Sequence, residues 1–149
     1  MRRFTILLIL LLSVLPKVLA QEGLSITPFF SQEFFEKPGI TTVTVTGKKL
    51  KKTGIDIYRS LTVTGNPESS NLLEQAVKRD GAKAVSREVS FRDGKLHFGF
   101  YTLKPHDRMN RYILYLNRTE EGKRKTTLIY LEGTGDTNQI KKFLNKEDI

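Results

Sequence analysis

The sequence predicts an α+β domain: two layers, a mostly antiparallel sheet of about six strands with helices on one face, in the order α-β-β-α-β-β-β-β-α. Three observations predict it. Segments such as 41–46 (TTVTVT) alternate apolar and polar residues with the two-residue period of a half-buried strand. Asp93-Gly94 stands between two strand-like segments and is the strongest local signal in the chain, a two-residue type I′ hairpin turn. Asn66-Pro67 and Asp136 stand where capping residues open segments whose apolar residues recur three and four apart.

Taken in order, residues 21–26 read as an extended lead-in. Thr27 as N-cap and Pro28 at the first helical position predict a short helix to about Lys37, with Phe30 and Phe34 toward the core, ended by Pro38-Gly39. A strand over 41–46 turns Val43 and Val45 one way, and a basic loop follows over 47–54. A strand over 55–64 places Ile55, Ile57, Leu61 and Val63 on one register, which Arg59 interrupts. The helix after Asn66-Pro67 carries Leu72, Leu73, Ala76 and Val77 as its stripe, with Gly81 just past its C-cap. Strands over 85–91 and 96–103 flank Asp93-Gly94. After a polar connection over 104–110, strands over 111–117 and 126–132 form a second hairpin. Asp136 caps a last helix through Asn145, with Ile140, Phe143 and Leu144 inward.

The N-terminus predicts an address. Arg2 and Arg3 precede a near-continuous apolar run over 4–15, Pro16 breaks it, and Val18-Leu19-Ala20 has the form of a cleavage site. Twelve apolar residues fall short of the about twenty a membrane helix needs, so residues 1–20 read as a signal peptide and 21–149 as one domain. Lys17, close to the cleavage site, leaves a retained anchor as the alternative. The chain has no cysteine, which excludes disulfides, thiolate zinc sites and lipidation at a first mature cysteine. An exported chain without cysteine fits a periplasm, or secretion. Without Arg2, Arg3 and Lys17, 22 basic residues face 16 acids, a formal charge of +6. That charge favours anionic partners, among them an anionic membrane surface or an acidic glycan, while export makes nucleic acid an unsuitable one.

Four segments carry a resemblance: 24–30 (LSITPFF), 43–50 (VTVTGKKL), 58–63 (YRSLTV) and 126–133 (TTLIYLEG). Together they resemble a family of small exported proteins from Bacteroidetes classed as a domain of unknown function, and the layout is similar to a second such family. The resemblance spans nearly the whole predicted mature chain. It implies a periplasmic or cell-envelope setting and transfers no functional residue, because its motifs are structural.

Catalytic motifs are lacking. No nucleophile elbow, cysteine or phosphate loop is present. His97 falls on a strand, on the face opposite Leu96, Phe98 and Phe100, and His106 falls in the connection beyond. Two histidines in a basic domain suit general acid–base hydrolysis of a phosphate-containing substrate, though nothing in their spacing brings them together. His106 and Asp107 have no third metal ligand placed by spacing, and no cofactor motif is present.

Binding residues are better marked. Tyr101, Tyr115 and Tyr130 fall on successive strands, each out of register with the most apolar positions. Strand pairing in sequence order puts them on one face away from the helices, joined by Arg111 and His97, a surface suited to stacking on rings; the same tyrosines also suit cross-strand packing. Lys48, Lys49, Lys51 and Lys52, with Lys123, Arg124 and Lys125, form two basic loops suited to solvent or to an anionic surface. The functional expectation is a non-catalytic binding or interaction module of the cell envelope, contacting an envelope protein, a glycan or an anionic membrane. The alternative is a small exported hydrolase of a phosphate-containing substrate.

Overall fold

A computed structural model describes residues 23–50 and 52–146. The predicted signal peptide and Lys51 lie outside the described residues, as do the side chains of Lys48 and Lys49.

The strands are β1 (Ile40–Thr46), β2 (Ile57–Thr64), β3 (Ser86–Arg92), β4 (Lys95–Thr102), β5 (Asn110–Glu120) and β6 (Lys123–Gly133). They form one antiparallel sheet in the order β1-β2-β6-β5-β4-β3. Among the described residues three helices accompany it: α1 (Gln32–Phe35), α2 (Pro67–Ala82) and α3 (Thr137–Lys146). The α+β class, the antiparallel sheet and the element order all agree with the sequence reading.

Local chemistry explains most boundaries. Asn66 accepts a hydrogen bond from Ser69 N–H at 3.2 Å, and Pro67 opens α2. Asp136 and Gln139 form a reciprocal capping box at α3, each accepting the other's backbone N–H at 2.9 Å. Asp93 and Gly94 take φ of 50° and 75°, as a type I′ turn requires, and Glu121 and Gly122 repeat this at the β5–β6 turn with 52° and 76°.

The first predicted helix is different. It divides into a 3₁₀ turn (Thr27–Phe30) and α1, because Ser31 is extended and its hydroxyl accepts from Phe34 N–H. Phe34 is buried and Phe30 is only partly so. A 3₁₀ turn (Gly47–Leu50) replaces part of the predicted basic loop. Leu72 is exposed, and Gly81 lies inside the last turn of α2, where a Cβ would collide with the Tyr101 ring. Arg59 keeps regular register, opposite Thr44 and Tyr130, while Ile55 precedes β2 and packs on the other face from Leu61 and Val63.

Helices cover both faces of the sheet, not one. Leu73, Ala76 and Val77 of α2, with Ile26 and Phe34, pack on Leu61, Val63, Tyr101, Ile113, Tyr115, Leu128 and Tyr130. Ile140 and Leu144 of α3, with Leu50 and Ile55, pack on Phe100, Tyr112, Leu114, Ile129 and Leu131. The reason is visible in the central strands: residues 111–115 and 128–131 are buried without a break, and alternation cannot bury consecutive residues unless both faces are covered. At the periphery the situation reverses, and every residue of β3 is exposed.

Candidate functional site

Burial decides the fate of the tyrosine face. Tyr101, Tyr115 and Tyr130 do share a face, with Tyr101 and Tyr130 both aligned with Ile113 and Tyr115 one step along. That face lies beneath α2, and the three are 3%, 0% and 0% exposed, so no ring is available for stacking on a ligand. Tyr101 lies between Gly81 of α2 and Gly99 of β4, both of which leave room for its ring. Tyr130 donates a hydrogen bond to Glu132 at 2.7 Å. Arg111, only 9% exposed, donates from Nε to the Lys104 carbonyl and stands beside Tyr130, which holds it in the wall of the core.

These phenols stay neutral. Burial pushes the ionisation of Tyr115 up to about 12, reinforced by Glu74 and opposed by Arg124. Burial raises that of Tyr130 further, with the hydrogen bond and charge of Glu132 adding to it and Arg111 opposing it. Tyr101 and Tyr112 are raised chiefly by burial. None is poised for acid–base work near neutral pH.

The other predicted residues separate in an informative way. A β-bulge places two β4 residues, Leu96 and His97, against one step of β3: Ser90 aligns with Phe98 and Phe91 with Leu96. His97 is the extra residue. Leu96 therefore joins the α2 face, whereas Phe98 and Phe100 face α3, which corrects the single register assigned to the three. The bulge is anchored from α2, because the Leu96 N–H donates to Glu74 Oε1 at 3.1 Å.

His97 and Arg124, predicted as parts of different surfaces, meet in one cleft. It lies where the β3–β4 and β5–β6 hairpins run side by side and has a volume of about 550 Å³. Arg92, Lys95, Arg118 and Arg124 line it with Asp93, His97, Asn117 and Thr119, so four cations and one carboxylate line the opening, with Glu74 beside Arg124. Arg124 is held in place: Nε donates to Asn117 at 3.0 Å, Nη1 to Asn71 at 2.6 Å, and Nη2 stands 3.7 Å from Glu74. A fixed guanidinium among further cations and a neutral amide suits an anionic group such as phosphate, sulfate or carboxylate.

The remaining basic residues do not join this cleft. Lys125 pairs with Glu120 at 3.2 Å. Lys123 is exposed at the hairpin turn. Lys52 follows the turn at the end of β1, at the opposite end of the sheet from the β5–β6 turn, so the two basic loops are not one surface. His106 lies beyond the far end of β4, in a tight turn closed by two hydrogen bonds with Met109 and 3.3 Å from Asp107. The run of β4 from His97 to Thr102 spans roughly 17 Å at about 3.3 Å per residue and His106 lies beyond it, so the two cannot act on one reacting group. Among the described residues, no group of three His, Asp or Glu side chains could hold a metal ion.

Arg92, Lys95 and Arg118 escaped sequence reasoning. Arg92 and Lys95 flank Asp93-Gly94 as a hairpin pair, a signal available in the sequence. Arg118 needed the β4–β5 pairing, which no local turn announces.

A family described as "Family of unknown function (DUF6108)" matches residues 14–144. No curated protein matches the chain.

Proposed function

We propose that this chain, which belongs to the DUF6108 family of unknown function, is an exported, non-catalytic binding module of the cell envelope that holds an anionic group of its ligand in the basic cleft. The observation that carries this reading is the meeting of Arg92, Lys95, His97, Arg118 and Arg124 around one opening. The separation of His97 from His106 supports binding over two-histidine hydrolysis. The N-terminal pattern of Arg2, Arg3, an apolar run and Ala20 supports export, and the resemblance to exported Bacteroidetes proteins agrees with it.

The test is titration with dextran sulfate and with neutral dextran at two salt concentrations, followed by amide chemical shifts. The expected result is binding of the sulfated polymer alone, with shifts at residues 92–97 and 117–124. Affinity falls steeply with salt, and Lys95→Glu with Arg118→Glu weakens binding at least about tenfold. Equal binding of both polymers, or binding that ignores these substitutions, overturns the reading. Turnover of p-nitrophenyl phosphate that is lost in His97→Ala and kept in His106→Ala would instead favour a hydrolase built on His97. Export is tested by the N-terminal residue of the protein recovered from envelope fractions, expected to be Gln21; full-length chain in the cytosol would refute it.

A further inference from the structure

We propose that β3 is a self-association surface, and that two copies of this chain pair antiparallel through it about a twofold axis at Ser90. This goes beyond the anion-binding reading and does not depend on it.

Leu103 N–H donates to the Arg111 carbonyl at 2.9 Å. With the β4–β5 register, this directs the odd-numbered residues of β4 toward β5 and the even-numbered ones toward β3. Phe98, Phe100 and Thr102 therefore bond to Ser90, Glu88 and Ser86. The backbone N–H and C=O groups of Arg87, Val89 and Phe91 point the other way, out of the sheet, since β3 is its edge. Such an edge is a template for another strand.

The side chains favour one occupant. Val89 and Phe91 are 43% and 55% exposed on the same face, adjacent apolar surface that a second strand would cover. An antiparallel pair about a twofold axis matches residues equidistant from that axis. With the axis at Ser90, Val89 meets the partner's Phe91 and Glu88 meets the partner's Arg92, while Arg87 lies toward the partner's Asp93 in the hairpin turn just past the strand. Each match occurs twice, so across the 88–92 overlap every charge faces an opposite charge and every apolar residue faces an apolar one. Shifting the axis to Val89 sets Arg87 against Phe91 and Val85 against Asp93. Shifting it to Phe91 sets Val89 against Asp93. Parity also agrees: Val89 and Phe91 both present outward backbone groups, so their pairs exchange main-chain hydrogen bonds. Glu88 lies 2.6 Å from Lys141 of its own chain and would be shared between Lys141 and the partner's Arg92.

The consequence reaches the cleft. Arg92 and Asp93 belong to its lining, so the pairing sets the two clefts on either side of the axis and places the partner's Arg87 beside Asp93.

Sedimentation equilibrium of the protein tests this. A small edge interface supports association over roughly 10 µM to 1 mM, with a limiting mass twice that of the monomer. Val89→Pro removes an N–H that the monomer's own ladder does not use, so it should abolish the dimer and leave far-ultraviolet circular dichroism unchanged. Glu88→Arg should weaken association at least about tenfold, and Glu88→Arg combined with Arg92→Glu should restore it. A monomer throughout this range overturns the proposal. So does a dimer indifferent to Val89→Pro, or a folded double variant that does not recover association.

Discussion

The two faces of the sheet bury unequal numbers of large side chains, more under α2 than under α3, and by different means. The α2 face is sealed by a helix of sixteen residues and by the lead-in before α1, and it takes three tyrosines inside. Each tyrosine brings a hydroxyl, and the face answers with Glu132, Arg111, Glu74, Arg124 and Thr126 around them. The α3 face is covered by ten residues near the C-terminus and is mostly hydrocarbon, apart from Tyr112, whose hydroxyl reaches the Gly135 carbonyl at 2.9 Å. The difference teaches that a polar tip on a large ring does not mark a solvent face. A core accepts it with a hydrogen-bond partner, as Tyr130 has in Glu132, and at Tyr115 with none among the described residues.

That contrast predicts unequal stakes. Leu73→Ala empties a fully buried position beneath the long helix and should cost about 3–5 kcal/mol in denaturant unfolding. Leu144→Ala, at a position 8% exposed on the terminal helix, should cost about 1–3 kcal/mol. Equal losses would erase the distinction between the faces.

Alkaline pH offers a sharper probe. Tyr115 ionises at about 12 when folded, against 10.0 for a free phenol, so above pH 10 the unfolded chain loses its proton first. Its contribution is intact below pH 10 and is lost as the pH rises toward 12, a loss of about 3 kcal/mol at about 1.4 kcal/mol per unit. Tyr115→Phe should flatten this part of the pH–stability curve, as read by urea midpoints.

The close approach of Tyr101 to α2 is testable at its narrowest point. Gly81→Ala should destabilise by about 1–3 kcal/mol, because the new Cβ meets a ring already flanked by Gly99, and helix propensity repays only part of it. Single hydroxyls come next. Tyr130→Phe should cost about 1–2 kcal/mol by stranding Glu132, whereas Tyr115→Phe should be near neutral at pH 7, since its hydroxyl completes no hydrogen bond among the described residues. The smallest effect belongs to the α3 face: Lys141→Ala breaks an exposed pair with Glu88 and should cost about 0.5 kcal/mol or less.

Much of this architecture is legible in residues that act locally. Asn66-Pro67, Asp93-Gly94 and Asp136 set element ends through hydrogen bonds and dihedral angles within a few positions, and each behaves as its chemistry requires. What escaped was non-local. The runs Tyr112-Ile113-Leu114-Tyr115 and Leu128-Ile129-Tyr130-Leu131 are continuous once tyrosine counts as a core residue, and then they announce a sheet covered on both faces. The bulge at His97 depends on Glu74, more than twenty residues away in the chain, so local alternation around Leu96 could not show it. The cleft inherits both difficulties, since it needs that bulge and the unannounced pairing of β4 with β5.

Asp80 carries a last consequence, for the order of events. Its carboxylate accepts the backbone N–H groups of Ser25 at 2.7 Å and Ile26 at 3.0 Å, across 55 and 54 residues of chain. Closing so long a loop costs entropy that local turns avoid, and the partner exists only once α2 has formed. The lead-in therefore docks late when the chain folds and is the first to leave when it frays. Its release would open to water a carboxylate that is only 4% exposed when covered, so this seam is where protease and hydrogen-exchange sensitivity should first appear.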